Sequence, residues 1–326
     1  MTAANHENDQ VIVPQTDADV YPRYSGLTTF ARLPRREDVT RYDLAVMGVP
    51  FDAGTSYRPG ARFGPAHVRQ ASRLLRPYNP YQNLAPFSVQ QVVDAGDALC
   101  NPFDIPTALK TIERDMREVL ATDKTRLLTI GGDHTIALPV LRALHKQHGP
   151  MALIHFDAHL DTWDTLYGAK YVHGTPFRRA HEEGLLISDR SVHVGIRSSV
   201  YDANDFNMDA NLGFLTVHCV DFDREGAQPI AERVIERIGR GTPTYVSIDI
   251  DVLDPSAAPG TGTPELGGLT GREMLSLLRG FEALNIVGCD IVEVCPAYDH
   301  AELTGIAAAN LSYELIGLMA QVGKNQ

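Results

Sequence analysis

Met151-Ala-Leu-Ile-His-Phe-Asp157-Ala-His159-Leu-Asp161 runs from an apolar segment straight into three potential metal ligands set two residues apart. The apolar part predicts a buried strand, and a strand sends residues i, i+2 and i+4 to one side. Thr244-Tyr-Val-Ser-Ile248 followed by Asp249-Ile-Asp251 repeats the pattern later in the chain. A third apolar run, Arg126-Leu-Leu-Thr-Ile130, ends in Gly131-Gly132-Asp133-His134, where the glycines allow a turn and His134 emerges at the strand end. Carboxylates gathered in one cleft cannot all stay ionised unless cations neutralise them. Four aspartates balance two divalent ions, so these residues predict a centre for two metals. Two metals sharing a water make hydroxide near neutral pH, and such a centre suits a planar, cationic substrate group.

Working outward, strand-like runs recur at 44–49, 89–93, 126–130, 151–156, 191–196, 214–220, 244–250 and 286–292. Helical patterns lie between most of them, at 65–75, 105–120, 136–148, 229–238, 270–284 and 306–319. This alternation predicts a three-layer α/β/α fold with a mostly parallel central sheet. Ligands bind such sheets beyond the carboxyl ends of the strands, where every proposed metal ligand sits. Residues 1–22 are polar and aperiodic and read as a mobile arm or an interface strap; 23–326 read as one domain.

The 326 residues are 44% apolar and 21% charged, ordinary for a globular chain, and the formal charge of -12 argues against nucleic acid or an anionic membrane as partner. No run is expected to span a membrane, and the N-terminus lacks the layout of a signal peptide, so a cytoplasmic location is expected. Cys100, Cys219, Cys289 and Cys295 form no Cys-x-x-Cys pair and suggest neither a zinc ribbon nor a disulfide framework. Two loops are rich in glycine and proline. The first, 56–65, lacks phosphate-loop spacing and reads as a turn into a helix. The second, 254–264, follows the second ligand strand and is placed to wall a substrate pocket.

Gly131-Gly-Asp-His134, His155-Phe-Asp-Ala-His-Leu-Asp161, His173-Gly-Thr-Pro-Phe177, Ser247-Ile-Asp-Ile-Asp-Val-Leu-Asp-Pro255, Pro259-Gly-Thr-Gly-Thr-Pro264 and Glu293-Val-Cys-Pro296 together resemble the ordered motifs of the ureohydrolases, the arginase and agmatinase family. The likeness runs from about Leu44 to the C-terminus. It implies one manganese held by His134, Asp157, Asp161 and Asp249 and another by Asp157, His159, Asp249 and Asp251, with nickel, cobalt or iron also compatible. It assigns proton shuttling to His173 and pairing with the substrate guanidinium to Glu293. The implied reaction is hydroxide attack on the guanidinium carbon, protonation of the leaving amine and release of urea. Relatives form trimers and hexamers, so a homotrimer or homohexamer is expected. His155 shares the ligands' parity but lies inside the apolar run and is expected to be structural. Asp133, Asp164 and Asp254 are candidates for orienting ligands or shaping turns.

The resemblance leans toward agmatinases, because the segment between Asp161 and His173 lacks the asparagine-rich character of the arginase loop. Agmatine, hydrolysed to putrescine and urea, is therefore the expected substrate. An ω-guanidino acid such as 4-guanidinobutyrate or 3-guanidinopropionate is the alternative, because Arg178 and Arg179 after His173 offer partners for a carboxylate. Trp163, Tyr171 and Asp254 are the remaining candidates for the substrate pocket. A catalytically silent, metal-stabilised regulator on the same fold would lack a ligand, the shuttle histidine or the glutamate, and a single-zinc deacylase of related fold would keep only part of the set. None of these residues is missing.

Overall fold

The structure, a computed structural model, describes residues 11–122 and 124–322. Its strands are β1 (Leu44–Gly48), β2 (Val92–Asp97), β3 (Arg126–Ile130), β4 (Ala152–Phe156), β5 (Val192–Ile196), β6 (Leu215–His218), β7 (Pro243–Asp249) and β8 (Asn285–Val292). They form one sheet in the order β2-β1-β3-β8-β7-β4-β5-β6, and every pairing among them is parallel rather than mostly so. Six of them, β1, β3, β4, β5, β7 and β8, are buried along nearly their whole length, as an all-parallel sheet with both faces covered requires.

Alternation along each strand divides the core in two. Val46, Ile154 and Val246 pack under helices Gly64–Ala71, Ala227–Ile238, Gly271–Arg279 and Leu303–Gln321. Ala45, Leu153 and Tyr245 pack under helices Ile105–Val119, Ala137–His148 and Pro176–Glu182. Helix Ile105–Val119 shows why: Ala108, Leu109, Ile112, Met116 and Val119 share one stripe, and Pro106 occupies a position in its first turn where no backbone donor is needed. Each such Leu or Ile side chain, fully withdrawn from water, contributes about 1.5–3 kcal/mol.

Several boundaries differ from those expected. The second strand starts at Val92, because Pro86 opens a helical turn that runs to Val89. The sixth stops at His218, where reciprocal bonds between His218 and Asp221 open the helix Cys219–Glu225. Helices Pro176–Glu182 and Asp205–Asn211 have seven residues each, too few for their period to stand out. The last helix is longer than expected: Leu303–Gln321 has the length and apolarity of a membrane span, yet 72% of that window is buried inside the fold. It is apolar all round because it is a core helix.

Of the arm read at 1–22, the first ten residues lie outside the described ones. The part that follows is tied to the body at Val13, which exchanges hydrogen bonds with the Gln91 side chain, and at Thr16, whose N donates to Arg32 O.

Candidate metal centre and active site

Four neighbouring strands, β3, β8, β7 and β4, deliver the site from their carboxyl ends: His134, Glu293, Asp249 with Asp251, and Asp157 through Asp161. The expected residues converge, although not through strand alternation. β4 ends at Phe156, so Asp157, His159 and Asp161 lie in the turn beyond it, and Asp251 lies in a 3-10 turn, Ile250–Val252. Loop geometry therefore aims these side chains. Asp161 and Glu293 both adopt left-handed backbone, φ 54° and 63°, a conformation that costs a non-glycine residue about 1–3 kcal/mol and concentrates at functional sites.

His134 is held by a chain behind it. Its Nε2 lies 2.8 Å from Ser247 Oγ, which donates to Asp290 Oδ1 at 2.7 Å, while Tyr245 donates to Asp290 Oδ2 at 2.5 Å. With the Ser247 proton committed to Asp290, Ser247 Oγ accepts from His134 Nε2–H, which leaves a lone pair on Nδ1. That lone pair has no hydrogen-bond partner among the described residues and faces Asp161, Asp157 and Asp249 oxygens at 3.0, 3.3 and 3.5 Å. A buried lone pair pointing at three carboxylates is repulsive unless a cation lies between them, which is the fit a metal requires.

Asp157 links this group to a second one. His159 Nδ1 is 3.2 Å from both Asp157 Oδ1 and Asp251 Oδ2, and two clusters of possible ligand atoms share Asp157. Asp249 Oδ1 accepts from the main chain of Asp251, which fixes the two carboxylates to one another. Burial first, then neighbouring carboxylates, raise Asp249, Asp161 and Asp251, the last to about 6. His155, expected to be structural, lies in the same cluster and against Asp157. Its Nε2 lies 2.7 Å from Asp157 Oδ2, and burial lowers it to about 3, so the ring is neutral.

Glu293 is buried beneath His173. Its Oε1 accepts from His134 N at 2.9 Å and lies 3.2 Å from His173 Nδ1, whereas Oε2 has no hydrogen-bond partner among the described residues. Burial works against a charged His173, but the Glu293 bond and the charges of Glu293, Asp161 and Asp133 outweigh it and carry the ring up to about 9.

The cleft over this floor has a volume of about 260 Å³, at the small end for ligand sites, and its walls include His159, Asp161, Asp249, Trp163, His173 and Thr263. Trp163 is there as expected, with Nε1 3.3 Å from Asp205 Oδ2 and its ring against Tyr201. Tyr171 is not: it packs against the second apolar core. Asp254 also stays out, because its carboxylate is used on Ser256, Gly267 and Gly268 to shape the loop. Arg178 pairs with Glu182, and the buried Arg179 pairs with Asp164 and Glu182, so neither lines the cleft. Asp133 caps the turn at His134 through Thr135 N.

Sequence reading missed Ser56 and the segment 198–201, which lines the outer wall. The place of 198–201 just past the end of β5 was the available signal. Asp290 also left a signal, as a carboxylate inside an apolar strand.

The crossing point that seats His134 has no spare room. Gly132 N donates to Val49 O, Glu293 N donates to Gly132 O, and a Cβ on Gly132 would lie 1.7 Å from Phe51 O. Gly132→Ala is expected to cost about 3 kcal/mol or more, because backbone must move. Thermal melting checks this, and a variant with unchanged Tm would show that the crossing can relax.

An arginase-family model matches residues 42–317. The guanidinobutyrase of Pseudomonas aeruginosa is 44% identical, over 92% of this chain and 95% of that protein. The mitochondrial agmatinase of Gallus gallus is 43% identical, over 94% and 89%. The proclavaminate amidino hydrolase structure from Streptomyces clavuligerus superposes with a TM-score of 0.87 at 42% identity, covering 92% of this chain and 99% of that one. With buried His and Asp ligands converging on one floor and this likeness along almost its whole length, the chain belongs to the arginase family of binuclear-metal amidinohydrolases, hydrolases of C–N bonds in linear amidines.

Proposed function

We propose that the chain hydrolyses a small linear guanidino compound to urea and an amine, and that Glu293 receives the guanidinium. The observation that carries this reading is Glu293 Oε2, a buried carboxylate oxygen left without a donor beside the carboxylate floor. A guanidinium supplies planar N–H donors and the opposite charge.

In this reading His134, Asp157, Asp161 and Asp249 would hold one ion, and Asp157, His159, Asp249 and Asp251 the other. Manganese suits an oxygen-rich set with two imidazoles. Two divalent ions there would compensate the carboxylates and lower the pKa of water. His173, its Nδ1 proton on Glu293, gives a proton from Nε2 to the leaving nitrogen. Trp163 and Tyr201 flank the tail. Assembly as a homotrimer or homohexamer and a cytoplasmic location complete the proposal.

For the tail, agmatine is supported by a cleft wall that, among the described residues, includes no arginine or lysine. A second reading, an ω-guanidino acid held by the hydroxyls of Ser198 and Ser199, is supported by the 44% identity to the guanidinobutyrase. The manganese-loaded chain is expected to release urea from agmatine faster than from 4-guanidinobutyrate, 3-guanidinopropionate or arginine. Preference for either guanidino acid would replace agmatine with the second reading; no urea from any of the four, repeated with nickel and cobalt, would overturn the function proposed.

A further inference from the structure

Ser56 opens the stretch 56–65, expected to be a turn into a helix, and with Gly54 just before it the chain packs against His173. Ser56 Oγ lies 2.7 Å and Ser56 N 3.1 Å from His173 Nε2, and His173 N donates to Gly54 O. The loop is clamped on both sides of Ser56. Gly54 N donates to Asp133 Oδ2 at 2.7 Å, and a Cβ on Gly54 would lie 2.1 Å from Thr135 Oγ1. The Asp52 carboxylate takes Gly60 N at 2.9 Å and the Arg62 guanidinium. Ser56 and His173 both line the cleft.

We propose that Ser56 is a positioning residue for proton transfer: its hydroxyl keeps His173 Nε2 hydrogen-bonded both with and without a proton on that nitrogen. This rests on the reading of His173 as proton donor to the leaving amine. A main-chain N–H can only donate, so the Ser56 N contact serves Nε2 once that nitrogen has lost its proton and the remaining ring proton sits on Nδ1, toward Glu293 Oε1. To act as an acid, His173 must also carry a proton on Nε2, and the main-chain N–H then opposes it. The hydroxyl can turn and accept. In the transfer one proton leaves Nε2 and is taken by the electron pair of the breaking C–N bond, and cleft water restores it. No oxidant or reductant is involved.

The test compares Ser56→Ala and Ser56→Thr in the manganese-loaded full chain, using whichever of agmatine and 4-guanidinobutyrate is turned over faster. Ser56→Ala is expected to lower kcat about tenfold, the worth of one hydrogen bond, with KM within about twofold and metal content unchanged. Ser56→Thr keeps the hydroxyl and is expected to recover most of kcat. A full kcat in Ser56→Ala, or a Ser56→Thr as slow as Ser56→Ala, would overturn the proposal. The bond is also read without turnover. In magnesium-loaded chain, the 15N shift of His173 Nε2, assigned with His173→Asn, is expected to move in Ser56→Ala and return in Ser56→Thr; an unmoved shift would overturn it. A wild-type chain inert toward guanidino compounds removes the function proposed above, and the NMR comparison still decides the Ser56 bond.

Discussion

Asp157→Ala is expected to empty both metal positions and stop urea release. Asp157 belongs to both clusters: Oδ2 lies 3.3 Å from His134 Nδ1, and Oδ1 lies 3.2 Å from His159 Nδ1. It also takes His159 N at 2.6 Å and sits 2.7 Å from His155 Nε2, so it fixes the turn that carries the other ligands. Alanine removes the shared negative charge and leaves His155 without its acceptor in a fully buried position. Rate loss should be at least about 10³-fold, in line with the several kcal/mol that catalytic metal ions supply. Metal per chain by elemental analysis and urea release on the same sample check it. A variant that retained two ions per chain would show that Asp157 is not shared.

Glu293→Gln separates binding of metal from binding of substrate. The amide oxygen can still accept from His134 N, so the turn that seats His134 survives. What changes is the other end. An NH2 replaces the partnerless Oε2 and presents donors to the donors of a guanidinium. Metal content should match the parent, while kcat/KM should fall by about 10²–10⁴-fold, the range for losing a charged positioning group and the proton donor it orients. Normal turnover in this variant would mean that Glu293 does not receive the guanidinium. Because Asp157→Ala loses metal and Glu293→Gln does not, the pair divides the floor into a part that holds ions and a part that holds substrate.

The fold was legible because a strand buried on both faces is mostly apolar, so carboxylates such as Asp157 and Asp249 mark strand ends unless, like Asp290 in β8, they are held by donors within the sheet. Which residues meet was legible for the same reason. How they meet was not: Asp161 turns through left-handed backbone, and Asp251 sits in a 3-10 turn, neither of which two-residue spacing reveals. Tyr171 and Asp254 were assigned by proximity in sequence, but one is drawn into apolar packing and the other into capping its own loop. Ser56 was hidden because its partner His173 is far along the chain and the loop's glycines and prolines gave a sufficient structural reason for it.

β8 is the last strand among the described residues, yet it lies in the middle of the sheet, where Leu127 pairs with Gly288 on one side and Ile248 with Ile291 on the other. Until it is inserted, β3 and β7 have no common neighbour, and His134 is not held near Asp249. A chain made up to β7 and the turn after it already carries all six proposed metal ligands, but not the strand that brings them together. Such central, long-range pairing is slow to form and leaves sheet edges open meanwhile. Assembly of the floor therefore waits on the pairing of β8 with both β3 and β7.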